Sequence, residues 1–199
     1  MVDAPRPRLN PFRSAPNLLT LARICLTPLL ISAVVERQFT VGFAMFVVAG
    51  LTDALDGLLA RVLGQRTQLG QYLDPVADKL LLSTLFVVLT WQHLIPAWVT
   101  VLVFGRDVGI LVVAAILYAA VGRREFQPSI FGKANTVAQI TAVAVILLQQ
   151  VYVAAWVAGL RTAALDATVV LTIASGLHYA WIASHRAPHT ENGHTAPLN

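Results

Sequence analysis

Charge is what this chain has least of. Only 12% of its 199 residues are Asp, Glu, Lys or Arg, while 57% are hydrophobic, against roughly 25% charged in an ordinary soluble domain. So few charges cannot clothe a water-facing surface, which excludes a soluble globular protein and predicts a polytopic membrane protein. Cysteine is nearly missing as well. Cys25 stands alone, so no disulfide can form within the chain, and its place in an apolar stretch predicts core packing. Long polar stretches are also lacking, which leaves no room for a separate catalytic domain; any chemistry belongs inside a bundle or at its mouth. The formal charge of +4 is modest and concentrated in particular loops, a topology signal and not a nucleic-acid footprint, so no nucleic-acid partner is expected.

What is present is a succession of apolar windows, each about 20 residues long and able to cross a hydrocarbon core about 30 Å thick. Their lengths predict an all-α fold, a single membrane domain over 1–199 built from six transmembrane helices at about 17–36, 40–63, 74–92, 96–121, 133–157 and 162–184. Pro28 is a possible kink in the first, and Pro96 falls where a helix start tolerates it. The even joints carry Arg61, Arg66, Arg123, Arg124 and Lys133, whereas the odd joints carry only Arg37, balanced by Glu36, and Arg161. With Arg6, Arg8 and Arg13 before the first span and Arg186 after the last, the positive-inside rule puts both termini in the cytoplasm. Residues 1–15 read as an interfacial segment leading into a retained span with no cleavage site. Residues 186–199 have almost nothing to bury and are expected to be disordered.

Against this apolar background Asp53, Asp56, Asp74 and Asp78 stand close together in the pattern D-A-L-D-G-L-L-A-R, then G-Q-Y-L-D-P-V-A-D. An aspartate at mid-bilayer costs roughly 2.5–3.5 kcal/mol, so four of them need compensation. Hard divalent cations such as Mg²⁺, Mn²⁺ or Ca²⁺ in a wet cavity supply it. On a helix Asp53, Asp56, Gly57 and Ala60 fall within an arc about 100° wide, with Arg61 just beyond. Asp74 and Asp78 are one turn apart on the next helix, and the short joint makes the two helices antiparallel neighbours. Two ions about 4 Å apart, bridged by these carboxylates, would hold a diphosphate during displacement at phosphorus. Gly57, Ala60 and Gly70 either admit a ligand to the backbone or permit close helix packing. Arg61 either neutralises a phosphate or anchors the cytoplasmic end.

The string D-x-x-D-G-x-x-A-R-x8-G-x-x-x-D-x-x-x-D, met by Asp53, Asp56, Gly57, Ala60, Arg61, Gly70, Asp74 and Asp78, resembles the signature of the CDP-alcohol phosphatidyltransferase family. Pro16-Asn17-Leu18-Leu19-Thr20-Leu21-Ala22-Arg23, with Pro28, resembles that family's opening, so the likeness runs from about 16 to 140. It implies a homodimer of six-helix subunits, in a bacterial inner membrane, with a cytoplasm-facing cavity. It also implies a reaction in which an acceptor hydroxyl attacks the β-phosphorus of CDP-diacylglycerol and CMP leaves, with Mg²⁺ or Mn²⁺, two ions, as cofactor. Carried over by position, Asp53, Asp56 and Asp74 are metal ligands, and Asp78 is both ligand and general base. Gly57, Ala60, Arg61 and Gly70 border the nucleotide.

For the acceptor, the polar residues inside apolar spans are the candidates: Arg23, Arg106, Lys133, Asn135 and Gln139. Arg23, about 9 Å into the first span, either meets an acceptor phosphate or snorkels to the interface, and Lys79 is equally open. Arg106, beside Asp107, is functional by default or neutralises the bundle interior. Lys133 opens the fifth span, where a helix N-terminus favours anions. Asn135 and Gln139 either read hydroxyls or bond a neighbouring helix. Leu94-Ile95-Pro96, Arg106-Asp107-Val108 and the run from Pro128 to Gln139 are most similar to the family branch of cardiolipin synthases and phosphatidylglycerophosphate synthases. Asn135-Thr136, where the second group shows a further lysine, favours phosphatidylglycerol as acceptor over glycerol 3-phosphate. Two readings from other classes were weighed. An intramembrane prenyltransferase would carry its acids on well-separated helices, and a cation transporter would give the Gly-Ala face and Arg61 no purpose.

Overall fold

The computed structural model describes residues 15–62, 68–121 and 130–186. Among these there are six helices and no strand: α1 Ala15–Val35, α2 Phe39–Val62, α3 Gln68–Trp91, α4 Ala97–Val121, α5 Ile130–Val151 and α6 Ala155–Arg186. The expectations for 1–14, for the basic residues Arg66, Arg123 and Arg124, and for the tail beyond Arg186 lie outside the described residues.

The all-helical expectation is met, with two boundaries moved. α3 begins well before Asp74, so that residue lies inside the helix and not at its start. α5 stops at Val151 and α6 begins at Ala155, where a break after 157 was expected. The run Val153-Ala154-Ala155-Trp156-Val157 is apolar on both sides of the turn, so hydropathy carries no mark of it. Arg161 is therefore not in a joint but in α6. From there its guanidinium donates to the Leu94 carbonyl at 2.6 Å and to Gln149 Oε1 at 3.2 Å.

Two of the connections are built alike. α1 ends with Arg37 N–H donating to Val34 O and Gln38 N–H to Ala33 O, and α3 ends with His93 N–H donating to Thr90 O and Leu94 N–H to Leu89 O. Both are Schellman closures, in which a left-handed residue turns the chain back on itself. That residue is Arg37 at φ 61° and His93 at φ 60°, not glycine. After the first closure Gly42 allows α2 to lie against α1: a Cβ there would stand 2.9 Å from Val34 Cγ2. Gln92 Nε2 donates to the Val35 carbonyl at 2.9 Å, which satisfies part of the open end of α1. α1 runs unbroken through Pro28, and α4 starts directly after Pro96.

α5 packs most extensively on α6, α1 on α2 and α3, and α4 mainly on α6. One core joins Leu30 and Val34, Phe46, Leu85, Phe86 and Leu89, Val99 and Val103, and Ile146. These side chains lie toward the end of the bundle that holds the two closures, and Asp53 and Asp78 lie further from it along α2 and α3. Outward faces are apolar too: Leu29, Leu51, Leu80, Val101, Leu111, Val170 and Leu177 are all exposed. Trp91, Trp98 and Trp156 are exposed around the α3–α4 and α5–α6 turns. By length and composition α5 over Ile130–Val151 and α6 over Ala155–Trp181 can each cross a bilayer, with shorter apolar stretches at Leu21–Val35 and Phe39–Asp53.

Candidate functional site

Three helices build the site. α1 supplies Arg23, α2 supplies Asp53 and α3 supplies Asp78. The Arg23 guanidinium donates from Nη1 to Asp78 Oδ1 at 2.5 Å and from Nη2 to Asp53 Oδ1 at 2.6 Å. The burial is inverted relative to a usual surface ion pair: the Arg23 side chain is 3% exposed, the carboxylates of Asp53 and Asp78 48% and 40%. The cation is inside and the acids stand at the mouth. Snorkelling to the interface, one reading of Arg23, does not describe this side chain.

The cleft in front of the acids is walled by Phe46 and Ala49 of α2, Leu81 and Leu82 of α3, and Thr136 and Ile140 of α5. Gly50 opens its side: no atom lies within 4 Å of where a Cβ would stand. Ile140 has no mark in the sequence and Thr136 enters there only as part of the Asn135-Thr136 motif, while the site candidates are their neighbours Asn135 and Gln139. A helix turns about 100° per residue, so one step along α5 separates a side chain facing the cleft from one facing α6.

Asp56, Gly57, Ala60 and Arg61 follow Asp53 on α2, and Gly70 and Asp74 precede Asp78 on α3. Their backbone is helical; their side chains lie outside the described residues. α2 and α3 both pack on α1, and it is Arg23 of α1 that draws Asp53 and Asp78 together; the joint expected to make α2 and α3 antiparallel neighbours lies outside the described residues. Among the described residues no three acidic, histidine or cysteine side chains gather as a metal set, since half of the aspartate motif is not among them. The two that are described fit a hard cation on chemical grounds: carboxylates from two helices converge on a single positive group and remain open to the cleft.

The other candidates fall into separate places. Arg106 of α4 donates from Nη1 to Asp107 Oδ1 at 2.9 Å, from Nε to Ser175 Oγ at 3.2 Å, and from Nη2 to the same hydroxyl. Its guanidinium carbon lies 5.9 Å from the centre of the Tyr179 ring. Asp107 Oδ2 also meets Lys79 Nζ at 2.7 Å. Asp107 thus ties α4 to α3, Arg106 ties α4 to α6, and Lys79, next to Asp78 in sequence, belongs to this second cluster. Asn135 and Gln139 are buried on α5. Asn135 Oδ1 accepts from Thr172 Oγ1 of α6 at 2.9 Å, while Asn135 Nδ2 and Gln139 Nε2 have no hydrogen-bond partner among the described residues. Lys133 is exposed near the start of α5.

The family model described as CDP-alcohol phosphatidyltransferase matches residues 13–174, which includes every residue of the site. Among curated relatives, the human "Cardiolipin synthase (CMP-forming)" is 36% identical over 161 residues, covering 72% of this chain and 52% of that protein. The Streptomyces coelicolor protein of the same name is 35% identical over 151 residues, 73% of this chain and 69% of its own. The Bacillus subtilis "CDP-diacylglycerol--glycerol-3-phosphate 3-phosphatidyltransferase" is 31% identical over 179 residues, 82% of this chain and 92% of its own. The chain spans about half the length of the human relative it matches.

Proposed function

The chain belongs to the CDP-alcohol phosphatidyltransferase family, and from that premise we propose that it transfers a phosphatidyl group from CDP-diacylglycerol to a glycerol-type hydroxyl, with release of CMP. The observation that carries this reading is the pair of open carboxylates, Asp53 and Asp78, brought from two helices to one point at the mouth of an apolar cleft. Asp53, Asp56, Asp74 and Asp78 would hold two divalent ions, Mg²⁺ or Mn²⁺. When bound, such ions neutralise the diphosphate and favour departure of the CMP oxygen.

The remaining steps fall to the chain's own groups. Asp78 accepts the proton of the acceptor hydroxyl as its oxygen attacks the β-phosphorus; the phosphorus–oxygen bond to CMP breaks and the electron pair leaves with CMP. Gly57, Ala60, Arg61 and Gly70 border the nucleotide. Phe46, Leu81, Leu82 and Ile140 line the cleft with hydrocarbon and exclude water.

For the acceptor we favour phosphatidylglycerol, giving cardiolipin. Among the described residues Arg23 is the one cation lining the cleft, and its walls suit a second lipid better than the doubly charged glycerol 3-phosphate. Glycerol 3-phosphate is the second reading, favoured by the name of the Bacillus subtilis relative that the chain matches along nearly its whole length. Arg106 and Asn135 are engaged with α6 and Gln139 is buried, so recognition of the acceptor would rest on Thr136 and the exposed Lys133, beside the end of the cleft that Arg23 holds.

We place all six helices across the membrane, both termini and the aspartates at the cytoplasmic face of a bacterial inner membrane, and two copies in a homodimer. The outward apolar faces and the tryptophans at one end support the spanning arrangement, and the loop charges support the orientation. The test is to give purified protein CDP-diacylglycerol with phosphatidylglycerol and glycerol 3-phosphate side by side, and to identify products by mass. Cardiolipin with equimolar CMP is the expected result. Phosphatidylglycerophosphate alone would establish the second reading, and no CMP with either acceptor would overturn both.

A further inference from the structure

Arg23 grips the same two carboxylates on which the proposed cation site depends. A guanidinium is a planar fork of donors that fits carboxylate and phosphate oxygens alike. Here it spends Nη1 on Asp78 and Nη2 on Asp53, from a buried position behind both acids. Its backbone carbonyl accepts from Thr27 Oγ1 at 2.8 Å, and α1 packs on both α2 and α3. The Arg23 side chain is enclosed, 3% exposed, while its head faces the cleft. Among the described residues one positive charge is set against two negative ones beside Phe46, Leu81, Leu82 and Ile140. A divalent ion is drawn to those two acids, yet it would arrive on oxygens already bonded to a cation. Charges of like sign within about 4 Å repel, so the two cannot share the carboxylates undisturbed.

We propose that Arg23 is an exchangeable counter-cation: it neutralises Asp53 and Asp78 until a divalent ion takes them, then passes its donors to the phosphate oxygens of the nucleotide-activated lipid. This rests on the reading of the aspartates as cation ligands. The consequence is coupling. The ion and the lipid bind better together than apart, since each relieves the cost the other meets at Arg23, and linkage makes that help reciprocal. The arrangement also keeps the bundle from carrying two bare carboxylates in an apolar wall.

The test reads Mn²⁺ binding to full-length protein in detergent, by the loss of the free-ion electron paramagnetic resonance signal, with and without CDP-diacylglycerol. Without lipid, Arg23→Gln is expected to bind Mn²⁺ about tenfold more tightly than wild type, because a competing charge is gone. The tightening of Mn²⁺ binding that CDP-diacylglycerol produces in wild type should shrink severalfold in that variant, while Arg23→Lys retains part of it. A folded Arg23→Gln that binds Mn²⁺ no more tightly than wild type would overturn the exchange. Wild type gives an arm that needs no folded variant: labelling of Arg23 by p-hydroxyphenylglyoxal, read by peptide mass, should rise with saturating Mn²⁺ and fall again when CDP-diacylglycerol is added. Labelling indifferent to Mn²⁺ also overturns it. If Mn²⁺ binding survives Asp53→Asn and Asp78→Asn unchanged, the cation-site reading fails and the exchange with it. If those variants abolish binding while Arg23 does not respond, the exchange alone fails.

Discussion

The bundle contains two arginine–aspartate clusters with opposite logic. Around Arg23, one buried cation faces two half-exposed acids from separate helices. Around Asp107, one carboxylate, 12% exposed, is held between Arg106 and Lys79, with Ser175 taking the rest of the guanidinium. In the first cluster, among the described residues, two acids face one cation and stand open, which is the arrangement the proposed cation site needs. In the second the acid is enclosed between Lys79 of α3 and Arg106 of its own α4, and Arg106 carries the tie on to Ser175 of α6, so the cluster fastens three helices. Intramembrane charge alone made both arginines functional candidates. What separates them is which sign is left over and which is exposed.

The largest effect should come from Asp78→Asn, which keeps the shape and removes the proton acceptor. Transfer is expected to fall by about 10²–10⁴-fold, measured as CMP release, with CDP-diacylglycerol binding largely retained in a filter or calorimetric assay. Turnover like wild type would remove Asp78 from the base role and blur the contrast between the clusters. Asp107→Asn should do the reverse. It leaves Arg106 without its charged partner and is expected to cost about 2–3 kcal/mol, at the low end for a broken buried pair because Lys79 is partly exposed. A thermal melt in detergent reads this, and turnover per folded molecule should change less than severalfold. A full loss of activity at unchanged melting temperature would make the second cluster part of the chemistry. Ser175→Ala sharpens the same point, with about 1 kcal/mol lost. The smallest change is a control that touches neither cluster: His93→Gly relieves a left-handed non-glycine residue and should stabilise by about 1 kcal/mol.

Much of the first cluster could be read from the chain. Spacing alone put Asp53 and Asp78 on successive helices, because the apolar runs on either side of the short joint are each long enough for one. Their partner could not be read. Arg23 lies on another helix, far away in sequence, and periodicity gives a residue's face but not what stands opposite. The same limit applies to Asn135, whose amide meets Thr172 on α6, and to Arg106, whose hydroxyl partner is Ser175. The turn between α5 and α6 was displaced because apolar residues continue through it, and the earlier start of α3 because Gln68, Leu69 and Gly70 carry no span-like hydropathy.

The indoles of Trp91, Trp98 and Trp156 have a consequence for how substrate arrives. Along α3, Asp78 is about 20 Å from Trp91 at 1.5 Å per residue. In the proposed spanning arrangement, with that indole row at one boundary of a hydrocarbon layer about 30 Å thick, the carboxylate would lie roughly 10 Å inside the other boundary. A lipid headgroup reaches such a depth by sideways diffusion in its own leaflet, tails still among neighbouring tails. Turnover should then follow the mole fraction of donor lipid in the bilayer, and diluting vesicles at constant composition should leave it unchanged.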